Sequence, residues 1–68
     1  MLSKESLDQV KREVAKYPPE RKSSAVMAAL RIAQEEHGWL SVPLMDYIAE
    51  LLGMRPIQVY EVATFYSV

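Results

Sequence analysis

The 68-residue sequence contains no cysteine and a single histidine, His37. The first absence excludes disulfides, thiolate zinc sites, iron–sulfur ligation and cysteine nucleophiles together. The second excludes a histidine-based metal site or a histidine relay. Long apolar runs are also missing. The longest, Ala25 to Leu30, falls far short of the roughly 20 residues that span a bilayer. The start, Met1-Leu2-Ser3-Lys4-Glu5, has an early acid and no apolar core, so no signal peptide is expected and the cytosol is the default compartment. No stretch longer than four residues alternates apolar and polar with β-branched enrichment, so no sheet is expected. There is no internal repeat and no low-complexity linker.

What is present is globular composition, half apolar and a quarter charged. The length allows one domain, which buries only about 60% of its unfolded-chain surface. Net charge is -1, which favours no polyanionic partner. Residues 1–22 carry a balance of +2 and residues 23–68 a balance of -3, a mildly basic front on an acidic body.

Periodicity predicts four helices. The first runs from about Ser3 to Lys16 on Leu7, Val10 and Val14, capped by Ser3 or by Ser6, which with Gln9 fits a capping box. Tyr17-Pro18-Pro19 ends it, since the residue before a proline avoids the α region. The second runs from about Glu20 to His37, with Val26, Ala29, Leu30, Ala33 and His37 on one face, widened by Ala25 and Ile32. So broad a stripe implies more than one neighbour. Gly38 is its expected left-handed C′ residue, and Trp39 should fold back near Ala33 as a staple to the next helix. The third covers Val42 to Leu52, with Ser41 as N-cap, Pro43 in the first turn, the stripe Leu44, Ile48, Leu51 and Leu52, and Gly53 as C′. The fourth covers Arg55 to Tyr66, with Val59, Val62, Ala63 and Tyr66 facing the core. The expected fold is therefore an all-α bundle of about four helices over residues 1–68. Leu30 is expected at its centre, the first helix packed more loosely and Leu2 in a frayed start.

Residues that could carry chemistry are few. His37 as a general base needs a nucleophile and an orienting partner. As a last-turn residue it needs neither, and its positive form suits the helix dipole. Glu35 and Glu36 point about 100° apart and read as a solvated face. Arg21 and Lys22, with Lys16 nearby, form the one basic cluster, either a solvated corner or one side of an interface. The aromatics Tyr17, Trp39, Tyr47, Tyr60, Phe65 and Tyr66 read as core rather than ligand box. Ala49, Gly53 and Val59 have the spacing of a helix-turn-helix, and helices two to four read as helix-turn-helix-like. As a DNA reader the fourth helix is poor. It offers Arg55, Gln58, Tyr60 and Glu61, one cation against one anion, where phosphate contacts supply much of the affinity.

Four stretches carry a resemblance: Tyr17-Pro18-Pro19-Glu20-Arg21-Lys22-Ser23-Ser24-Ala25, Ala33-Gln34-Glu35-Glu36-His37-Gly38-Trp39-Leu40, Glu50-Leu51-Leu52-Gly53, and above all Val59-Tyr60-Glu61-Val62-Ala63-Thr64-Phe65-Tyr66. Together they resemble the start of the 24-kDa (E-subunit) family of NADH:quinone oxidoreductase, respiratory complex I, and related modules of NAD-linked hydrogenases and formate dehydrogenases. The resemblance implies a small helical bundle followed by a thioredoxin-like domain that holds a [2Fe-2S] cluster on four cysteines. It implies a place against the flavin- and NADH-binding subunit, on a bacterial cytosolic face or in a mitochondrial matrix. No cluster ligand can be carried over, since no position here matches one. The expectation is an amino-terminal piece of such a subunit, non-catalytic and without a cofactor, that docks on the dehydrogenase subunit and on the cluster domain. On a helical wheel Ile57, Phe65 and Val68 lie opposite the core face of the fourth helix, with Glu61 between them. With Arg21 and Lys22, these three are the expected docking residues. The rival expectations are a helix-turn-helix DNA-binding protein and an independent helical adaptor.

Overall fold

A computed structural model describes residues 2–66, with side chains to Phe65. The expected core place of the Tyr66 side chain and the docking role of Val68 fall outside the described residues.

The order of elements is α1 (Lys4–Val14), a single 3₁₀ turn (Pro19–Arg21), α2 (Lys22–His37), α3 (Val42–Leu52) and α4 (Pro56–Tyr66), with no strand among the described residues. Each boundary has a local cause. Ser3 caps α1 from an extended backbone, its Oγ accepting the Ser6 N–H at 3.2 Å. Ser6 is thereby inside the helix, so the Ser6/Gln9 capping box does not form. α1 unwinds through i→i−3 bonds, Lys16 N–H to Glu13 O and Tyr17 N–H to Val14 O, both 3.1 Å, before Pro18 ends it.

The second helix starts later than periodicity suggests. Pro18 is extended and Arg21, at φ -112° and ψ 40°, is outside the α region, so Pro19–Arg21 forms a separate turn and α2 begins at Lys22. Ser41 caps α3 by accepting the Leu44 N–H at 3.2 Å. Gly53, at φ 66°, closes α3 in a Schellman motif: its N–H reaches Glu50 O at 3.2 Å and the Met54 N–H reaches Ala49 O at 2.9 Å. Met54, at C″, packs half-buried against the core. The Gln58 side chain accepts the Arg55 N–H at 2.9 Å and so caps the start of α4.

α2 is the hub. α1, α3 and α4 all pack on it, and α3 also packs on α4. Seven α2 residues are buried, from Ala25 to Ala33, and four of them are alanines, small enough to let several neighbours approach. Leu30, Val26, Val10, Leu44, Ile48 and Val59 are fully buried, joined by Ala29, Ile32, Ala33, Ala49 and Ala63. Ala49 and Val59, on either side of Gly53 in sequence, are both buried in this core.

Five expectations are corrected. α1 is not the looser helix, for its contact with α2 is the most extensive in the bundle. Leu2 is not frayed but 7% exposed within the core cluster, because Ser3 anchors the helix start beside it. Leu51, expected in the α3 stripe, is 38% exposed, and Ala49 takes the buried place. His37 is exposed rather than on the buried face of α2, since that face ends at Ala33. Trp39 is 67% exposed and staples nothing. Gly38, at φ 84°, closes α2 by the αL form, its N–H on Gln34 O at 2.7 Å. That form does not pull the C″ residue back onto the helix as the Schellman form does. Leu40 packs on the core instead.

Candidate docking surface

Two of the expected docking residues meet in one place. Lys22, at the start of α2, and Phe65, in the last turn of α4, line a common open groove of about 400 Å³. Met27 and Met54 supply apolar walls and Glu61 a carboxylate. Phe65, read with the other aromatics as core, is instead 84% exposed, a large apolar ring held on the surface by its helical register. Ile57 is 57% exposed on α4 but outside this groove, two turns from Phe65. Arg21 is exposed in the 3₁₀ turn, next to Lys22 in sequence and also outside the groove.

Periodicity does not single out Met27. Its only signal is its position: an apolar residue off the α2 stripe, 45% exposed here. Methionine is flexible and polarisable, a common residue of adaptable contact surfaces.

Several titratable groups are engaged structurally. The Glu36 carboxylate is not simply solvated. It accepts the Ser3 N–H at 3.1 Å through each oxygen and the Ser6 hydroxyl at 2.5 Å. It therefore caps the start of α1 from the end of α2, where the α1 dipole favours negative charge. The Ser6 hydrogen bond, reinforced by Ser3, holds its carboxyl below the ordinary glutamate range. His37 lies beside it, Nε2 3.5 Å from Glu36 Oε2. Glu13 is lowered by the Lys16 ammonium at 2.7 Å, with Arg31 also near. The Tyr60 hydroxyl donates to Asp46 across the α3–α4 contact, which pushes the phenol up.

Among the described residues no group of three or more His, Asp and Glu side chains is placed to hold a metal ion. No helix of the described residues is long and apolar enough to cross a membrane. What the arrangement offers is contact: open, mainly apolar grooves rimmed by isolated charges.

Residues 10–68 match the profile of the thioredoxin-like [2Fe-2S] ferredoxin family. The chain is 44% identical over 67 residues to the E subunit of the NADH-quinone oxidoreductase of Rickettsia conorii, covering 97% of this chain and 40% of that protein. It is 45% identical over 60 residues to the E 2 subunit of the NADH-quinone oxidoreductase of Rhizobium meliloti, covering 88% of this chain and 34% of that one. The chain thus spans about two fifths of the length of these relatives or less. The cluster in the family's name does not fit the residues present, for a [2Fe-2S] centre is held by thiolates or, in part, imidazoles, and this sequence has no cysteine and one histidine. On the length and strength of these matches, the chain belongs to the thioredoxin-like [2Fe-2S] ferredoxin family and resembles, within it, the E subunits of NADH-quinone oxidoreductases.

Proposed function

We propose that this chain is the amino-terminal helical domain of an NADH dehydrogenase subunit of the 24-kDa type, and that it acts there as a non-catalytic docking element. It helps assemble the dehydrogenase module and transfers no electrons itself. The cluster belongs to a thioredoxin-like domain outside these residues. Its partners are that domain and the flavin- and NADH-binding subunit, on the cytosolic side of a bacterial membrane complex or in a mitochondrial matrix. The observation that carries this reading is Phe65, 84% exposed at the end of α4 beside Lys22, in a chain that matches about two fifths of a 24-kDa-type relative. Phe65 shares its groove with Met27, Met54 and Val62, and a contiguous exposed apolar patch of this kind is suited to receiving a neighbour.

A nucleic-acid partner is less well supported. Of the four side chains offered to a groove, Tyr60 is bound to Asp46 and Gln58 caps its own helix, leaving Arg55 and Glu61 with cancelling charges. The test is backbone amide exchange in this chain and in a longer one that continues through the cluster domain. The amide of Phe65 should slow strongly in the longer chain. Unchanged exchange, with the cluster domain folded, overturns the docking role of α4. An independent adaptor is separated by co-expression with the flavin-binding subunit, which should retain the docking domain and release a Phe65→Ser variant.

A further inference from the structure

We propose that the cleft between α1 and α3 is a second docking surface, and that its occupant is an amphipathic helix of a partner protein with carboxylates flanking its apolar stripe. This inference is independent of the α4 reading, sharing only Lys22 and Met54 with that groove.

The cleft arises from the packing order. α1 rests on α2, and α3 rests on α2 and α4, but α1 and α3 make no close backbone approach to each other. The space between them holds two adjoining hollows of about 300 and 220 Å³, both lined by Val14, Leu51 and Leu52. Leu7 and Val10 extend the α1 wall, while Met54 and the rigid Pro18-Pro19 pair close the other end. Leu51 is the informative residue. It belongs to the apolar stripe of α3, yet the bundle leaves it 38% exposed in the cleft. Each hollow is at or below the low end of the roughly 300–1,000 Å³ that enclose a small ligand. They are open and contiguous, as suits successive side chains of a helix lying along the cleft.

Charge selects the occupant. Lys11 lines one hollow and Lys22 the other, and no acidic residue lines either. Neither lysine has an ion-pair partner among the described residues. Glu50 lines a separate hollow with Tyr47 and Leu51. A helix with apolar anchors and an acidic residue near each end satisfies both lysines. The anchors supply affinity, and the charges supply orientation and partner choice.

The test is a titration of the isotope-labelled 68-residue chain followed by backbone amide shifts. The probe is a synthetic helical peptide of about 16 residues, with leucines at i, i+4 and i+7, glutamates at both flanks and alanine or glutamine elsewhere. Saturable shifts are expected at Val14, Leu51, Leu52 and Met54, with a Kd on the order of 100 µM, as befits a small interface. The same peptide with lysine flanks should bind at least about fivefold more weakly, as should the Leu51→Gln and Lys11→Glu variants. Both substitutions are at accessible positions, and an unchanged helical circular dichroism spectrum verifies that each variant folds. Shifts confined to Met27, Gln58 and Phe65, no saturation at millimolar peptide, or equal binding of the lysine-flanked peptide overturns the proposal. Cleft shifts that appear on concentrating the chain alone assign the surface to a second copy and overturn it equally.

Discussion

Glu36 shows how much one side chain can join. It takes three hydrogen bonds from the first turn of a helix 30 and 33 residues earlier in sequence. Its carboxyl is lowered, so its contribution to stability is present above the unfolded-chain value of about 4.3 and is lost as pH falls through the lower folded value. Glu13, lowered by Lys16, works in the same direction at the other end of α1. Glu36→Gln should therefore melt below the parent near neutral pH, and the gap should narrow as pH falls below about 4. Thermal melts across that range check this, and a gap independent of pH would remove the charge from the account. Gly53 makes a different demand. A Cβ built on it meets nothing within 4 Å, so a substitution there meets strain of the backbone alone. Gly53→Ala should cost about 1–2 kcal/mol, and Gly53→Asn less, since asparagine tolerates the left-handed region. Equal losses in denaturant titrations would place the cost elsewhere.

At the scale of the element, α2 carries the bundle. Leu30 is fully buried at its middle, and Leu→Ala at such sites costs about 2–5 kcal/mol. A domain under about 80 residues rarely holds more than roughly 3–5 kcal/mol. Leu30→Ala should thus be largely unfolded at room temperature by circular dichroism, whereas a cooperative melt within a few degrees of the parent would exclude Leu30 from the core. The four helices, the Ser41 cap and the two left-handed glycines were legible in the sequence because each is decided by neighbours within a turn. The features that escaped are decided across the fold. Glu36 read as a solvated acid because its partners, Ser3 and Ser6, are remote in sequence. Trp39 read as a staple because Gly38 alone does not show whether its helix closes by one bond or two. Leu51 read as core because a helical wheel marks an apolar face without showing whether a neighbour reaches it. Of the expected docking residues, the wheel placed Phe65 and Ile57 opposite the core face of α4, where both are exposed, while Met27 and the meeting of Phe65 with Lys22 needed the packing of α4 on α2.

The bundle is a hub with three helices around it, and the hollows on the surface of the described residues include two unlike openings. One, between α2 and α4, carries Phe65 and methionines with a cation and an anion. The other, between α1 and α3, is mainly aliphatic, with Tyr17 at one end, and is rimmed by lysines. On the docking role proposed above, a domain with two such faces would lie between neighbours. Ligand count leads to a matching expectation at this scale: chain purified without chelators should be colourless and free of stoichiometric iron or zinc by elemental analysis. A bound equivalent of either metal would overturn it.

The place of the lone tryptophan has an optical consequence. Trp39 stands 67% in water just past Gly38. Its indole should already emit at the red-shifted wavelength of a solvated ring in the native state and be open to quenching by acrylamide. Denaturant should then move its emission maximum very little, even while circular dichroism records the loss of all four helices. A blue shift would come not from folding but from something covering the α2–α3 corner, which makes the native fluorophore a reporter of contact at that corner.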